Sequence, residues 1–128
     1  MLKIKKENTP MKKLSIILLA FSFLFITGCK DETHLKTSAI IFTRSECTST
    51  PDALKFFNNL KKKNNLITYE IKDLSKAENI ELLKKFVKKH NIPTKSFLTP
   101  IIFTSKGYSS GWDFQTPYDL KILLNIRD

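Results

Sequence analysis

IIFTRSECTSTPDALKFF, residues 40–57, decides how the rest of the chain is read. It opens on a continuous apolar run, passes through a short polar loop holding one cysteine, and continues with apolar residues at helical spacing. SAIIFT, residues 38–43, is therefore a buried strand. Thr50-Pro51 has the form of a helix start, with Thr as N-cap and Pro at the first helical position. Ala53, Phe56, Phe57 and Leu60 then fall at i, i+3, i+4 and i+7, one buried face. Lys61, Lys62 and Lys63 close the helix where its dipole favours cations.

Downstream, LITYEI, residues 66–71, reads as a second strand. Ser75 and Glu78 have capping-box spacing and open a second helix. Its inward stripe is Ile80, Leu83 and Val87, widened by Leu82 and Phe86, and its lysines face away. His90 closes it as a favourable C-terminal cation. A loop over 92–100 ends on Thr99-Pro100, IIFT at 101–104 is a third strand, and YSSGW at 108–112 is a short fourth. Thr116-Pro117 repeats the helix-start pattern, and 118–126 forms a last helix with Leu120, Leu123 and Leu124 inward. The order is β-α-β-α-β-β-α. The intervening helix makes the first strand pair parallel, and the last pair is a hairpin. The fold class is α/β, with one central mixed four-stranded sheet flanked by helices.

Upstream, Lys12-Lys13 precedes LSIILLAFSFLFIT, residues 14–27. This apolar run is shorter than the roughly 20 residues a spanning helix takes and has the form of an export signal. It ends in Ile26-Thr27-Gly28-Cys29, which resembles the lipobox of bacterial lipoproteins. The resemblance implies a signal peptide over 1–28, or from Met11, cleavage before Cys29, and lipidation of that cysteine. A polar tether over 29–37 and a domain over 38–128 follow. Lys30-Asp31-Glu32 is similar to the signal that carries lipoproteins to the cell surface in one Gram-negative lineage. The expected location is the bacterial cell envelope, anchored by lipid, at the outer rather than the inner membrane, on its periplasmic or surface face.

The chain has 128 residues, room for one small domain, and a net charge of +10. The lysines ahead of the apolar run account for part of this; residues 29–128 keep about +6. Of the two cysteines, lipidation consumes Cys29, so Cys47 is left as a lone thiol and the domain is not disulfide-stapled. The sequence holds no metal-ligand spacing, no Gly-rich phosphate loop and no nucleic-acid motif. The expected cofactor is none, and neither metal nor nucleic acid is an expected partner.

The element order, a cysteine in the loop after the first strand, and Thr-Pro just before the third together resemble the thioredoxin fold, at glutaredoxin size, over residues 38–128. The resemblance implies that Cys47 stands at the nucleophilic cysteine's position. It implies that Pro100 is the cis-proline shaping a substrate groove, with Thr99 before it. Thr50 stands where the resolving cysteine would be, so C-x-x-C has become C-x-x-T. A hydroxyl cannot clear a mixed disulfide as a thiolate does, which excludes the dithiol mechanism. Monothiol exchange through Cys47, with glutathione or another external thiol as reductant and an envelope protein as substrate, is one expectation. A non-catalytic protein-binding module using the groove beside Pro100 is the other. The reactivity of Cys47 turns on where its helix begins. As N-cap it would gain the helix amides; upstream of a Thr50 cap it would gain little, leaving Arg44 to favour the thiolate and Glu46 to oppose it.

Overall fold

The computed structural model describes residues 33–93, 95 and 97–127. The signal segment and the lipidation residue Cys29 lie outside the described residues. Strand β1 (Ala39–Thr43) is buried along its whole length, because it has a neighbour on each edge and a helical layer on each face. It pairs in parallel with β2 (Tyr69–Asp73) and antiparallel with β3 (Ile101–Thr104). A hairpin adds β4 (Gly107–Ser110), giving one mixed sheet in the order β2-β1-β3-β4. Three helices complete the α/β architecture: α1 (Thr50–Lys63), α2 (Ala77–Lys89) and α3 (Thr116–Leu123).

The period of two along each strand divides the core. Ile40 and Phe42 of β1, with Ile101 and Phe103 of β3, face Phe86 of α2. Phe42, Phe86 and Phe103 pack ring to ring, with centroids 4.8–5.8 Å apart. Ala39, Ile41 and Ile102 point the other way, onto Phe57 of α1 and Leu120 of α3. That second layer is extended by Phe56, whose ring meets Trp112 at 5.8 Å.

Several boundaries differ from the sequence-based expectation, each for a local reason. Strand β2 runs over Tyr69–Asp73, not 66–71, because pairing with the five residues of β1 sets its ends. Leu66 is 80% exposed and sits in a turn, its N–H donating to Asn64 Oδ1 at 3.0 Å. Being an edge strand, β2 is only partly buried and includes the charged pair Glu70–Lys72. Strand β4 stops at Ser110, since Gly111 turns the chain at a φ of 79°, open to glycine. Its N–H donates to Leu98 O at 2.7 Å and Pro100 O at 3.0 Å.

The N-cap positions of α1 and α3 are Ser49 and Gln115, one residue before the expected threonines. Helix α2 begins at Ala77 with Lys76 as N-cap and no side-chain cap, so the Ser75–Glu78 box does not form. Asp73 takes over: its Oδ1 accepts the Ser75 N–H at 2.8 Å, and its backbone carbonyl accepts Asn79 Nδ2 at 2.8 Å. Asp113 does the same before α3, accepting the N–H groups of Gln115 and Thr116 at 2.9 Å each. An upstream aspartate thus replaces the predicted cap in both places.

Ile80 is 40% exposed rather than inward, and Phe86 is the deepest residue of α2. Helix α3 ends at Leu123, short of Ile126, because Asn125 adopts the left-handed conformation at φ 57°. His90 is not the favourable cation expected. Burial, then the neighbouring Lys89 charge, pushes its pKa down, and its ring stacks on Phe86 at an interplanar angle of 3°. The packing favours the neutral imidazole.

Candidate functional site

The loop from Arg44 to Ser49 carries the chain from the end of β1 to the start of α1. Two turn hydrogen bonds shape it: Cys47 N–H donates to Arg44 O at 3.0 Å, and Thr50 N–H to Cys47 O at 3.3 Å. The loop brings Cys47, half-buried, against a segment 52 residues away. Cys47 Sγ–H donates to Thr99 O at 3.3 Å. The Thr99–Pro100 peptide bond is cis. Pro100 is buried and leads directly into β3, while Thr99 stays half-buried beside the sulfur.

Thr50, the first residue of α1, lines the same hollow as Cys47, and its hydroxyl bonds to that of Thr43. Opposing influences act on the thiol. Burial is the largest and raises its pKa. Hydrogen bonds from the Thr50 and Thr99 side chains, then from the backbone of Ser49 and Thr50, lower it and together prevail. The balance lowers the thiol's pKa from the ordinary cysteine value. The helix begins after Cys47, with Ser49 as N-cap, two residues beyond the position that would have favoured the thiolate most. Hydrogen bonds set this thiol; neither Arg44 nor Glu46 is among the groups that shift it.

Of the open hollows that border the loop, two lie at Cys47 and at Thr99. One, of about 340 Å³, is lined by Cys47, Thr50, Pro51, Leu54, Ile71 and neighbouring residues. The other, of about 300 Å³, is lined by Thr99 with Leu74, Leu83, Phe97, Leu98 and Ile101. Arg44 lines both. The second is mainly apolar in its side chains, whereas the first mixes Pro51, Leu54 and Ile71 with Thr43, Ser45 and Asp73, and Leu98 stands 68% exposed beside Thr99.

Of the residues singled out from the sequence, Cys47, Thr50, Thr99 and Pro100 come together here. His34 and His90 line a separate hollow of about 240 Å³ that Cys47 does not touch. Among the described residues no cluster of three or more His, Cys, Asp or Glu could hold a metal, and no helix is long and apolar enough to cross a membrane. Cys47 is a free cysteine.

The residue that sequence reasoning passed over is Thr43. The signal was present: it is the polar end of an otherwise apolar strand, and it shares the parity of Ala39 and Ile41. No protein-family model, curated protein or solved structure matches this chain.

Proposed function

We propose that residues 38–128 form a thioredoxin-like domain that exchanges disulfides through the single thiol of Cys47, held in the bacterial envelope by a lipid on Cys29. The observation that carries the reading is the 3.3 Å contact between Cys47 Sγ and the carbonyl of Thr99, the residue that precedes Pro100 at the entry to β3. The four-stranded mixed sheet and its three helices are compatible with that fold.

The chemistry runs in two exchanges. Cys47 loses its proton to solvent, and the thiolate attacks one sulfur of a disulfide R–S–S–R′. A Cys47–S–S–R bond forms, the R–S–S–R′ bond breaks, and R′–S⁻ leaves and is protonated by solvent. An external thiol, glutathione or another, then attacks the mixed disulfide, takes R as a new disulfide and releases the Cys47 thiolate. Thr50 is not a thiol and takes no covalent part. Thr99, Pro100 and the two hollows receive the polypeptide around the attacked sulfur.

The second reading is a binding module that uses the same groove without catalysis. It is favoured by the apolar hollow at Thr99 and by exposed Leu98. Cys47→Ser in the full lipidated chain separates the two. Exchange predicts envelope proteins disulfide-linked to the wild type, resolved on non-reducing gels, and none linked to the variant. Equal, reductant-insensitive recovery of the same partners with both forms would overturn exchange in favour of the binding module.

A further inference from the structure

All three helices start at the thiol end of the sheet. Helix α1 leaves the Cys47 loop, and α2 starts just after Asp73, which lines the Cys47 hollow. Helix α3 starts after Gly111, whose N–H reaches Pro100 O. Their other ends meet at the opposite pole. The turn after α1 leads to Thr68, which exchanges hydrogen bonds with Ser38 at 3.1 and 3.3 Å. Lys89 and His90, at the end of α2, line a hollow with Thr33, Thr104 and Ser105. Leu123, at the end of α3, lies so close over Gly107 of the β3–β4 hairpin that a Cβ there would meet its Cδ2 at 3.1 Å.

Each helix carries acid in its first turn, Asp52, Glu78 and Asp119, and base in its last, Lys61–Lys63, Lys88–Lys89 and Lys121. Each pattern suits its own helix dipole. Because the helices share a direction, these lysines also gather at one pole, with the thiol at the other. Leu66 and Ile122, 80% and 72% exposed, stand among them. Glu70, near the start of β2, is ion-paired with Lys72 at 3.3 Å, and Asp31, Glu32 and Asp128, close by in sequence, leave the balance positive. The chain also enters the domain here. Thr33 is buried, its carbonyl accepts from Lys89 Nζ at 3.5 Å, and Leu35 packs against the core. Four residue steps join Cys29 to Thr33, a reach of about 14 Å at full extension.

We propose that this basic pole is a membrane-contact surface: it seats the domain on an anionic bilayer, with the lysines over the headgroups, Leu66 and Ile122 in the interface, and Cys47 facing away. The inference rests on the lipid anchor of the proposed function. A lipid on Cys29 holds the pole within roughly two screening lengths of the surface, each about 8 Å at physiological salt. Basic residues that close are drawn to anionic headgroups. The lipid supplies attachment and the lysines supply orientation. The other exposed apolar group, Phe114 and Tyr118, lies at the start of α3 beside Asp113 and Asp119, which an anionic surface repels.

The test is tryptophan quenching of the full chain in vesicles of phosphatidylcholine and phosphatidylglycerol with brominated acyl chains. Trp112 is the sole tryptophan and follows Gly111 at the thiol pole, so the wild type is expected to stay unquenched. Leu66→Trp adds a tryptophan at the basic pole and is expected to be quenched; Ile122→Trp is the second probe if that variant does not fold. Three changes are each expected to remove most of this quenching while flotation still finds the chain on the vesicles. They are phosphatidylcholine alone, the triple variant Lys61→Gln, Lys62→Gln, Lys63→Gln, and salt at about 1 M, where the screening length falls to about 3 Å. Quenching of Trp112 instead would put the Phe114 side on the bilayer and overturn the proposal. So would a vesicle-bound chain in which no tryptophan is quenched, quenching that ignores salt, or a concentration-dependent change in the Leu66→Trp emission without vesicles, which would mean that a second copy covers the pole. The intact mass reads the lipid on Cys29 separately: a lipidated chain without quenching keeps the anchor and loses the orientation, and an unlipidated chain loses both.

Discussion

On the proposed exchange function, Thr50→Cys is expected to abolish the accumulation of mixed disulfides with partner proteins. The substitution places a second thiol three residues after Cys47, at the first position of α1 and in the hollow that Cys47 also lines. After Cys47 attacks a partner disulfide, the introduced thiolate at position 50 can attack the Cys47 sulfur. The Cys47–partner bond then breaks, the partner leaves as a thiol, and an intramolecular disulfide remains. In the wild type that step waits for an external thiol, because the Thr50 hydroxyl cannot supply it. Non-reducing gels of membrane extracts read the difference: bands of partner-linked protein in the wild type, their near-complete loss in Thr50→Cys, and an oxidised monomer in their place. Persistence of the linked species at wild-type levels would mean that position 50 does not face the reacting sulfur. The variant also loses the Thr50 hydroxyl from the hydrogen bonds that lower the thiol's pKa, so attack by Cys47 is expected to slow even as release accelerates.

Phe103→Ala is expected to give the largest loss of stability. Phe103 is fully buried in β3 and joins three elements at once. Its ring lies 4.8 Å from Phe86 of α2 and 5.7 Å from Phe42 of β1, and His90 packs beside it at 5.4 Å. Removing the ring loses its transfer free energy and leaves a cavity that surrounding rings cannot easily fill. The cost is about 3–5 kcal/mol, set against a total of about 5–15 kcal/mol for an ordinary domain. For a domain of this size each kcal/mol lowers Tm by roughly 4–8 °C, so thermal unfolding followed by circular dichroism should shift by well over 10 °C. Phe103→Leu keeps most of the volume and is expected to cost only about 1–2 kcal/mol. A loss below about 1 kcal/mol for the alanine variant would contradict this packing of α2 on the sheet. The same strand starts just after Pro100, so loosening β3 would also disturb the wall of the thiol site.

The elements most legible in the sequence were those whose environment is uniform. Strands β1 and β3 are buried on both faces, so their apolar runs mark them with little ambiguity. Strand β2 was displaced because an edge strand carries charge, and its ends follow the length of its neighbour rather than its own hydropathy. The starts of α2 and α3 were each off by one residue because Asp73 and Asp113, lying upstream, hold the turns that the serine and threonine patterns suggested. The inward stripe of α2 was legible at Phe86 and not at Ile80, since periodicity gives a face but not how far a neighbouring layer extends.

The candidate site was legible only in part, and for a different reason. Cys47 and Thr99 are far apart in sequence, and no local pattern links them; their pairing was an expectation carried by resemblance. The polar end of β1 at Thr43 was visible in the sequence, but its hydroxyl partner Thr50 was not, since a contact between the end of a strand and the start of a helix is not expressed by spacing alone. The hydrogen bonds that oppose burial at the thiol are likewise a matter of three-dimensional placement. From sequence, only the charges of Arg44 and Glu46 were available to weigh, and they are not what shifts it.

The central claim is that hydroxyls and backbone amides gathered at the start of α1 outweigh burial and keep Cys47 ready to ionise. The most direct measurement is the alkylation rate of Cys47 in the wild-type chain against pH. The account predicts a midpoint below that of a free cysteine measured alongside. A midpoint at or above that value would show that burial prevails, and would contradict a nucleophilic role for this thiol.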